Sequence, residues 1–316
     1  MKLIFCSDPL TPRKPDADYA REVAAVESLG LSYAVIDYEA LVNAQDAAQA
    51  VRRVREEAEL TSGIYRGWML RPTQYSELFN ALMGRGIQLI NSPAAYQHCH
   101  YLPEWYPALQ AWTAQSVWLP YSGDVNHIPF DEIMQHLEVF GAAPIIVKDY
   151  VKSRKHEWAE ACFIPSAADR AAVERVVRRF VELQDESLNE GLVFREFIEF
   201  EPLTTHSKSG MPLIQEHRIF FWHHQPIFVA EYWEEGNYSV DALPLDQFCN
   251  AAQAVQSDFF TMDVAKRRDG NWSIIELGDA QVAGLPLHAD VSGFYEALIN
   301  HKFVSNTDEN KYQSSQ

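Results

Sequence analysis

Over its first ninety residues the chain alternates short apolar runs with amphipathic stretches, and that alternation limits the fold more than any other feature. Leu3-Ile4-Phe5-Cys6 reads as a buried strand. A helix follows over 16–29, with Ala20, Val23, Ala24 and Ser28 along one side and Gly30 at its end. Tyr33-Ala34-Val35-Ile36-Asp37 is a second strand, 47–59 a charged amphipathic helix, 63–70 a third strand, 74–83 a helix and 86–90 a fourth strand. Strands that alternate with helices in this way form a parallel sheet with helices packed on it. The phosphate-binding fingerprints such sheets often carry are missing. There is no GxxxxGK[ST], and Gly84-Arg85-Gly86 falls after a helix and before a strand, the reverse of the order a dinucleotide loop needs.

The rest of the chain has a different texture. Pro144-Ile145-Ile146-Val147-Lys148-Asp149 is a strand that ends in charge. Ser166 is the expected cap of a helix running to about Leu183, on which Arg175, Arg178 and Arg179 share a solvated face. From Leu192 the pattern turns strand-rich. A hairpin pairs 216–221 with 227–232, and another pairs 259–265 with 272–277, turning at Asp269-Gly270. Asp-Gly is among the strongest two-residue hairpin signals. With those two residues as the loop, Asp263 stands opposite Glu276. Facing like charges in a sheet repel each other. One remedy is an exposed edge where both carboxylates are solvated; the simplest is a cation between them, and oxygen ligands of this kind select Mg2+ or Mn2+, commonly together with nucleotide phosphates. Asp279 and Gln281, just past the strand, extend the same set.

Charge makes one segment stand out. The 316-residue chain has a net charge of −18, which argues against non-specific coating of nucleic acid and against docking on anionic membranes. Yet Lys148, Lys152, Arg154 and Lys155 fall within eight residues, with only Asp149 against them. A strand lysine followed by a basic loop suits either a polyphosphate or plain solvation. Arg195-Glu196-Phe197-Ile198-Glu199-Phe200-Glu201-Pro202 reads as an ordinary strand end or as a hinge whose backbone meets a purine edge. Arg218, planted mid-strand beside Ile219, Phe220 and Phe221, needs a partner, because burying it alone is expensive. That partner is a carboxylate, Glu231 or Glu234, or a transferring phosphoryl group. His98-Cys99-His100 follows a helix start at Asn91-Ser92-Pro93, and residues two apart on a helix do not share a face, so a metal pair is not expected. The four cysteines are widely spaced, the N-terminal apolar run is short for a signal peptide, and no stretch approaches eighteen apolar residues. A cytoplasmic chain with reduced thiols is the expectation.

The ordered combination of strand lysine with basic loop, acidic hinge, strand arginine, then Asp and Glu on paired strands resembles the ATP-grasp superfamily. More narrowly, Cys6-Ser7-Asp8-Pro9, Tyr65-Arg66-Gly67-Trp68-Met69-Leu70, Val147-Lys148-Asp149-Tyr150-Val151-Lys152-Ser153, Val193-Phe194-Arg195-Glu196-Phe197-Ile198 and Ile275-Glu276-Leu277-Gly278-Asp279 look like its R2K clade. The resemblance implies an α/β chain, α+β overall: an N-terminal parallel α/β domain followed by a two-part ATP-grasp fold. Its parts would be 1–95 (N-terminal domain), 96–195 (linker helix and lid), 196–305 (central domain) and 306–316 (flexible tail).

The resemblance also implies roles. Lys148 would contact the α-phosphate, with Lys152 or Lys155 in the loop covering the phosphates. Arg195, Glu196 and Ile198 would form the adenine hinge, and Glu199 or Glu201 would meet the ribose. Arg218 would stand near the transferring phosphate, and Asp263, Glu276 and Asp279 would hold the metal. Apart from the resemblance, Arg66, Trp68 and Arg71, near the end of the third strand, are candidates for recognising the acceptor, with structural roles an equal alternative. Three departures mark this chain: Gln97, His98 and His100 where many members have a lysine, no glycine between Lys148 and His156, and Gly278 where the usual metal Asn stands. The expected activity is that of an ATP- and Mg2+-dependent (Mn2+ also suits) carboxylate–amine ligase working through an acyl phosphate, on small-molecule or peptide substrates. The alternatives are a small-molecule kinase on the same fold and a nucleotide-binding module without turnover.

Overall fold

A computed structural model describes residues 1–207, 212–238 and 243–301, and the backbone of 304–305. The expected tail, 306–316, lies outside the described residues. The chain opens with a parallel sheet in which β1 (Lys2–Cys6) lies between β2 (Tyr33–Ile36) and β3 (Thr61–Arg66), with β4 (Ile87–Leu89) outside β3. The connecting helices are α1 (Ala20–Ser28), α2 (Tyr38–Val42), α3 (Ala47–Ala50) and α4 (Pro72–Met83). The helix expected over 47–59 shrinks to α3. The β-branched Val51 and Val54 are buried in a turn, and the Glu57 amide donates to the Arg85 carbonyl instead of continuing a helix. Strand β3 stops at Arg66, short of the expected 70, because Gly67 folds back onto β1. A Cβ there would lie 2.4 Å from the Cys6 sulfur.

Next come α5 (Pro93–His100), capped by Ser92 as the Asn-Ser-Pro signal suggested, and α6 (Leu102–Leu109). They lead to an antiparallel sheet of β5 (Ser116–Pro120), β6 (Ile145–Asp149), β7 (Phe163–Ile164) and β8 (Gly191–Glu196), ordered β5-β8-β6-β7. Its helices are α7 (Phe130–Leu137), α8 (Trp158–Ala161) and α9 (Arg170–Gln184). Helix α9 is capped by Asp169, not by Ser166. The Asp169 carboxylate accepts from the Ala172 amide, and the Ser166 carbonyl belongs to the turn before it. Val173, Val176, Val177 and Phe180 are buried on one side of α9, while Arg175, Arg178 and Arg179 face outward.

The ribbon β9 (Pro202–Thr205) and β10 (Pro212–Ile214) precedes a central sheet. That sheet contains β11 (Glu216–Trp222), β12 (Gln225–Glu231), β13 (Phe259–Lys266), β14 (Trp272–Asp279) and β15 (Val304–Ser305), ordered β14-β13-β11-β12-β15. Helices α10 (Leu245–Ala252) and α11 (Val291–Asn300) flank it. One face packs Phe220 and Phe228 against Leu3, Phe5, Phe294 and Leu298, fusing the central sheet to the N-terminal one. The other face packs Ile219, Phe221 and Met262 on Trp105 and Phe248. His223 and His224 occupy the β11–β12 turn with positive φ.

The β13–β14 hairpin closes differently from the expectation yet reaches the same pair. Gly270, at φ +87°, donates to the Arg267 carbonyl at 2.9 Å, and the Arg267 amide donates to Asn271 at 2.7 Å. The loop therefore holds three residues, Arg268 to Gly270. Regular pairing from such a loop would set Asp263 against Ile275. A bulge between Asp263 and Val264 shifts the register and restores Asp263 to Glu276. Among the described residues, no helix is long and apolar enough to cross a membrane.

Candidate active site

A cleft of about 410 Å³ opens between the β5–β8 sheet and the central sheet, a size typical of small-molecule sites. Its floor is a row of charges. Arg218, Asp263 and Glu276 lie in register across β11, β13 and β14, on the face that carries Phe220 further along. Lys148 reaches in from β6. Its Nζ stands 3.7 Å from Glu276 Oε1. Burial pulls the Lys148 pKa down, with Glu276 opposing that pull. Burial alone would raise the pKa of Glu276, but Lys148, then Lys155, Arg218 and Arg195, hold it below the ordinary carboxylate value. Glu276 remains reachable, with 42% of its side chain exposed.

Arg218 finds its partner in Asp263, not in Glu231 or Glu234. Nε and Nη2 each donate to the Asp263 carboxylate at 2.7 Å, Nη1 donates to the Gly284 carbonyl at 2.9 Å, and the guanidinium lies 4.9 Å from the Tyr232 ring centre. Burial works against its charge, but Asp263 outweighs burial and raises its pKa. The repulsion expected between Asp263 and Glu276 is thus already relieved by two cations of the protein itself.

The basic loop is shaped by the one acid inside it. Asp149 Oδ1 accepts the amides of Val151 and Lys152, while Oδ2 accepts from Gln184 Nε2 at 2.8 Å and Asn189 Nδ2 at 2.9 Å. The loop so held presents Lys152 and Lys155 to the cleft. Desolvation lowers the Lys155 pKa, and Glu216, then Glu276, more than reverse the effect. Glu216 and Asp149 were not singled out as site residues from sequence. Glu216 is buried on the Arg218 face of β11, and burial, then Asp263, push its pKa up. The two-residue spacing from Arg218 was the available signal.

Several expected site residues lie elsewhere. Arg66 is buried, bonded to Glu22 and to the carbonyls of Ala280, Gln281 and Ala283, and does not line the cleft. Trp68 donates to Asp16 at 3.2 Å beside Tyr19, and Arg71 donates to the Glu186 carbonyl at 2.7 Å. Neither lines the cleft, whereas their neighbour Met69 does. Asp279 does line the cleft, but its carboxylate is held in a polar hub. Oδ2 accepts from Asn91 Nδ2 at 2.6 Å, Oδ1 accepts the Gln281 amide at 2.9 Å, and burial pushes its pKa up to about 6. Its carboxylate is thus committed to the fold, as is Gln281, whose amide nitrogen donates to Tyr75.

The segment expected to form the adenine hinge is also partly committed. Arg195 lines the cleft, but its guanidinium donates to the carbonyls of Ile275 (2.5 Å) and Ile274 (3.1 Å) and to Thr113. Burial pulls its pKa down to about 10. The Glu196 amide donates to Gln115. Ile198 is buried beside the hinge, and Glu199 and Glu201 pair with Arg268 and Lys266, at 3.0 and 3.2 Å. His100 lines the cleft. Its Nδ1–H donates to the Tyr96 carbonyl at 2.9 Å, and burial pulls its pKa down to about 4, so it is neutral near pH 7 and not a substitute for a lysine's charge.

Among the described residues no three His, Cys, Asp or Glu side chains cluster to hold a metal. Asp263 and Glu276 alone are a two-carboxylate pair. Of the two, Glu276 is open to a cation, while both Asp263 oxygens accept from Arg218; Mg2+ keeps much of its shell on phosphate and water and does not require a cage built by protein alone.

Residues 139–298 match the family described as ATP-grasp domain, R2K clade family 3. No curated protein sequence matches the chain. Among solved structures, D-cycloserine synthetase DcsG superimposes with a TM-score of 0.58 over 95% of this chain and 99% of its own, at 14% identity. The ATP-grasp ligase PsnB, complexed with precursor peptide PsnA2 and AMPPNP, gives 0.56 over 95% and 96%, also at 14% identity. The macrocyclase MdnC bound with precursor peptide MdnA, from Microcystis aeruginosa MRC, gives 0.52 over 95% and 99% at 12% identity. At such identities the likeness is one of fold.

Proposed function

Since the chain belongs to the R2K clade of ATP-grasp proteins, family 3, we propose that the cleft binds Mg·ATP and that the protein is a ligase joining a carboxylate to an amine. The observation that carries this reading is the row Lys148, Glu276, Asp263, Arg218, which sets two adjacent carboxylates between two cations along one cleft between two sheets. Mg·ATP supplies an electrophilic γ-phosphorus and a good leaving group. The overall reaction is activation of a carboxylate as its acyl phosphate and capture of that species by an amine, releasing ADP and phosphate.

The residues divide the work. Ile146, Ile275 and Leu277 offer apolar walls for the base, and Arg195 closes that end. Lys148 is set for the α-phosphate, and Lys152 and Lys155 for the outer phosphates. Asp263 and Glu276 take the metal. Arg218 stabilises charge as it spreads on the transferring phosphoryl group, where a fixed donor is worth more than in water. Holding the two reactants together supplies on the order of 7 kcal/mol or more of the barrier. The far end, walled by Met69, Val282 and Ala283, receives the acceptor. The fold relatives include a small-molecule synthetase and ligases bound to precursor peptides, so both substrate classes fall within the reading.

Two measurements test it. Glu276→Gln should abolish Mg2+-dependent binding of ATP, and unchanged metal dependence removes Glu276 from the site. Turnover with ATP, Mg2+, hydroxylamine and pools of amino acids or peptides should give ADP together with a hydroxamate. ADP without hydroxamate identifies phosphoryl transfer to a hydroxyl, and a kinase in place of a ligase.

A further inference from the structure

Arg66, at the end of β3, is 1% exposed, and its guanidinium is divided between two tasks. Nε and Nη2 each donate to the Glu22 carboxylate at 2.8 Å, to which Tyr295 also donates at 2.6 Å. Nη1 faces the opposite way. It donates to the carbonyls of Ala280 at 2.5 Å, Ala283 at 3.0 Å and Gln281 at 3.3 Å. These residues belong to the segment 280–284 that leaves β14 and walls the cleft through Val282, Ala283 and Gly284.

The same segment is held from the cleft side by Arg218, whose Nη1 donates to the Gly284 carbonyl while Nε and Nη2 hold Asp263. Two consecutive carbonyls, Ala283 and Gly284, therefore accept from two arginines that belong to different sheets. The two-point bond to Asp263 and the Tyr232 ring orient the guanidinium, and the third bond, to Gly284, ties that orientation to the position of 280–284.

We infer that Arg66 is a positioning residue for Arg218: it fixes 280–284 from behind, and Gly284 then sets the orientation of the cleft arginine. The inference rests on the ligase reading only for the task given to Arg218, since the coupling itself is a matter of geometry. No lysine can replace Arg66 here, because one ammonium cannot span a carboxylate on one side and three carbonyls on the other. Arg66→Lys nevertheless keeps the charge opposite Glu22, which avoids an uncompensated buried carboxylate.

The test uses the full chain labelled with 15N-arginine. The Nε–H resonance of Arg218 is assigned by its loss in Arg218→Lys, and amide exchange over 280–284 is followed separately by mass spectrometry of peptides from the unlabelled chain. In Arg66→Lys that exchange should accelerate about tenfold, as local opening becomes easier, and the Arg218 resonance should shift or broaden. A contribution of Arg66 to stability alone would not move that resonance. If it stays in place, with or without faster loop exchange, the coupling is refuted. Should Arg66→Lys fail to fold, the pair Arg66→Met with Glu22→Gln removes both charges together and is read by the same two signals. Neither signal requires turnover, so the inference and the ligase reading fail separately.

Discussion

Lys148 and Glu276 illustrate how single residues set the chemistry of this cleft. Each shifts the other toward its charged form, against the burial that opposes both. A ligand anion near Lys148 and a ligand cation near Glu276 would take over roles the two side chains now play for each other. Lys148→Ala should therefore weaken Mg·ATP binding by about 1.5–3 kcal/mol, the scale of a charge-assisted contact, as read by calorimetric titration. A titration that overlays the parent's takes Lys148 out of the nucleotide site. The Asp263–Glu276 pair was legible because an Asp-Gly turn sets register locally, although two departures, a longer loop and a bulge, happen to cancel. Glu22 and Asp149 were not legible as functional neighbours. Glu22 meets Arg66 across 44 residues and Asp149 meets Asn189 across 40, and no local pattern encodes such distances.

Among the elements, the β13–β14 hairpin carries the most consequence. Its register depends on Gly270 at φ +87°, where an added Cβ would meet open space. The cost of Gly270→Ala is thus backbone strain alone, about 1 kcal/mol, measurable as a lower urea midpoint with an unchanged slope. A variant as stable as the parent would mean the turn tolerates another conformation. Strand and helix identities were largely readable from periodicity. The helix over 47–59 was not, because its charged, alanine-bearing composition looks helical while buried Val51 and Val54 and the contact of Glu57 with Arg85 decide otherwise. The cap of α9 departs from the expectation for a similar reason: Ser166 and Asp169 are both good cap residues, and the turn between them chooses the later one.

For the whole molecule, acidity is a matter of placement as much as of total. The net charge is −18, yet Lys148, Lys152, Lys155, Arg195 and Arg218 converge on one cleft. Stability against pH follows from which acids are buried. Asp279 titrates near 6 in the fold against 3.8 ordinarily, so the folded state binds the extra proton between those values, and through this group stability falls as pH rises from about 4 to 6. Glu216 acts with the same sign. His100, whose pKa is pulled down to about 4, acts oppositely, and its contribution is lost as pH falls below 6.5. Asp279→Asn should accordingly gain on the parent in urea unfolding by up to about 3 kcal/mol between pH 4 and pH 7. A difference between the two that is constant with pH would mean that Asp279 does not titrate in this window. Arg195 has a further consequence at this scale. By stapling β8 to the carbonyls of Ile274 and Ile275 on β14, it makes one end of the cleft a pivot. Any swing of the flanking sheets is then least at Arg195 and widens with distance from it, as a door moves least beside its pin.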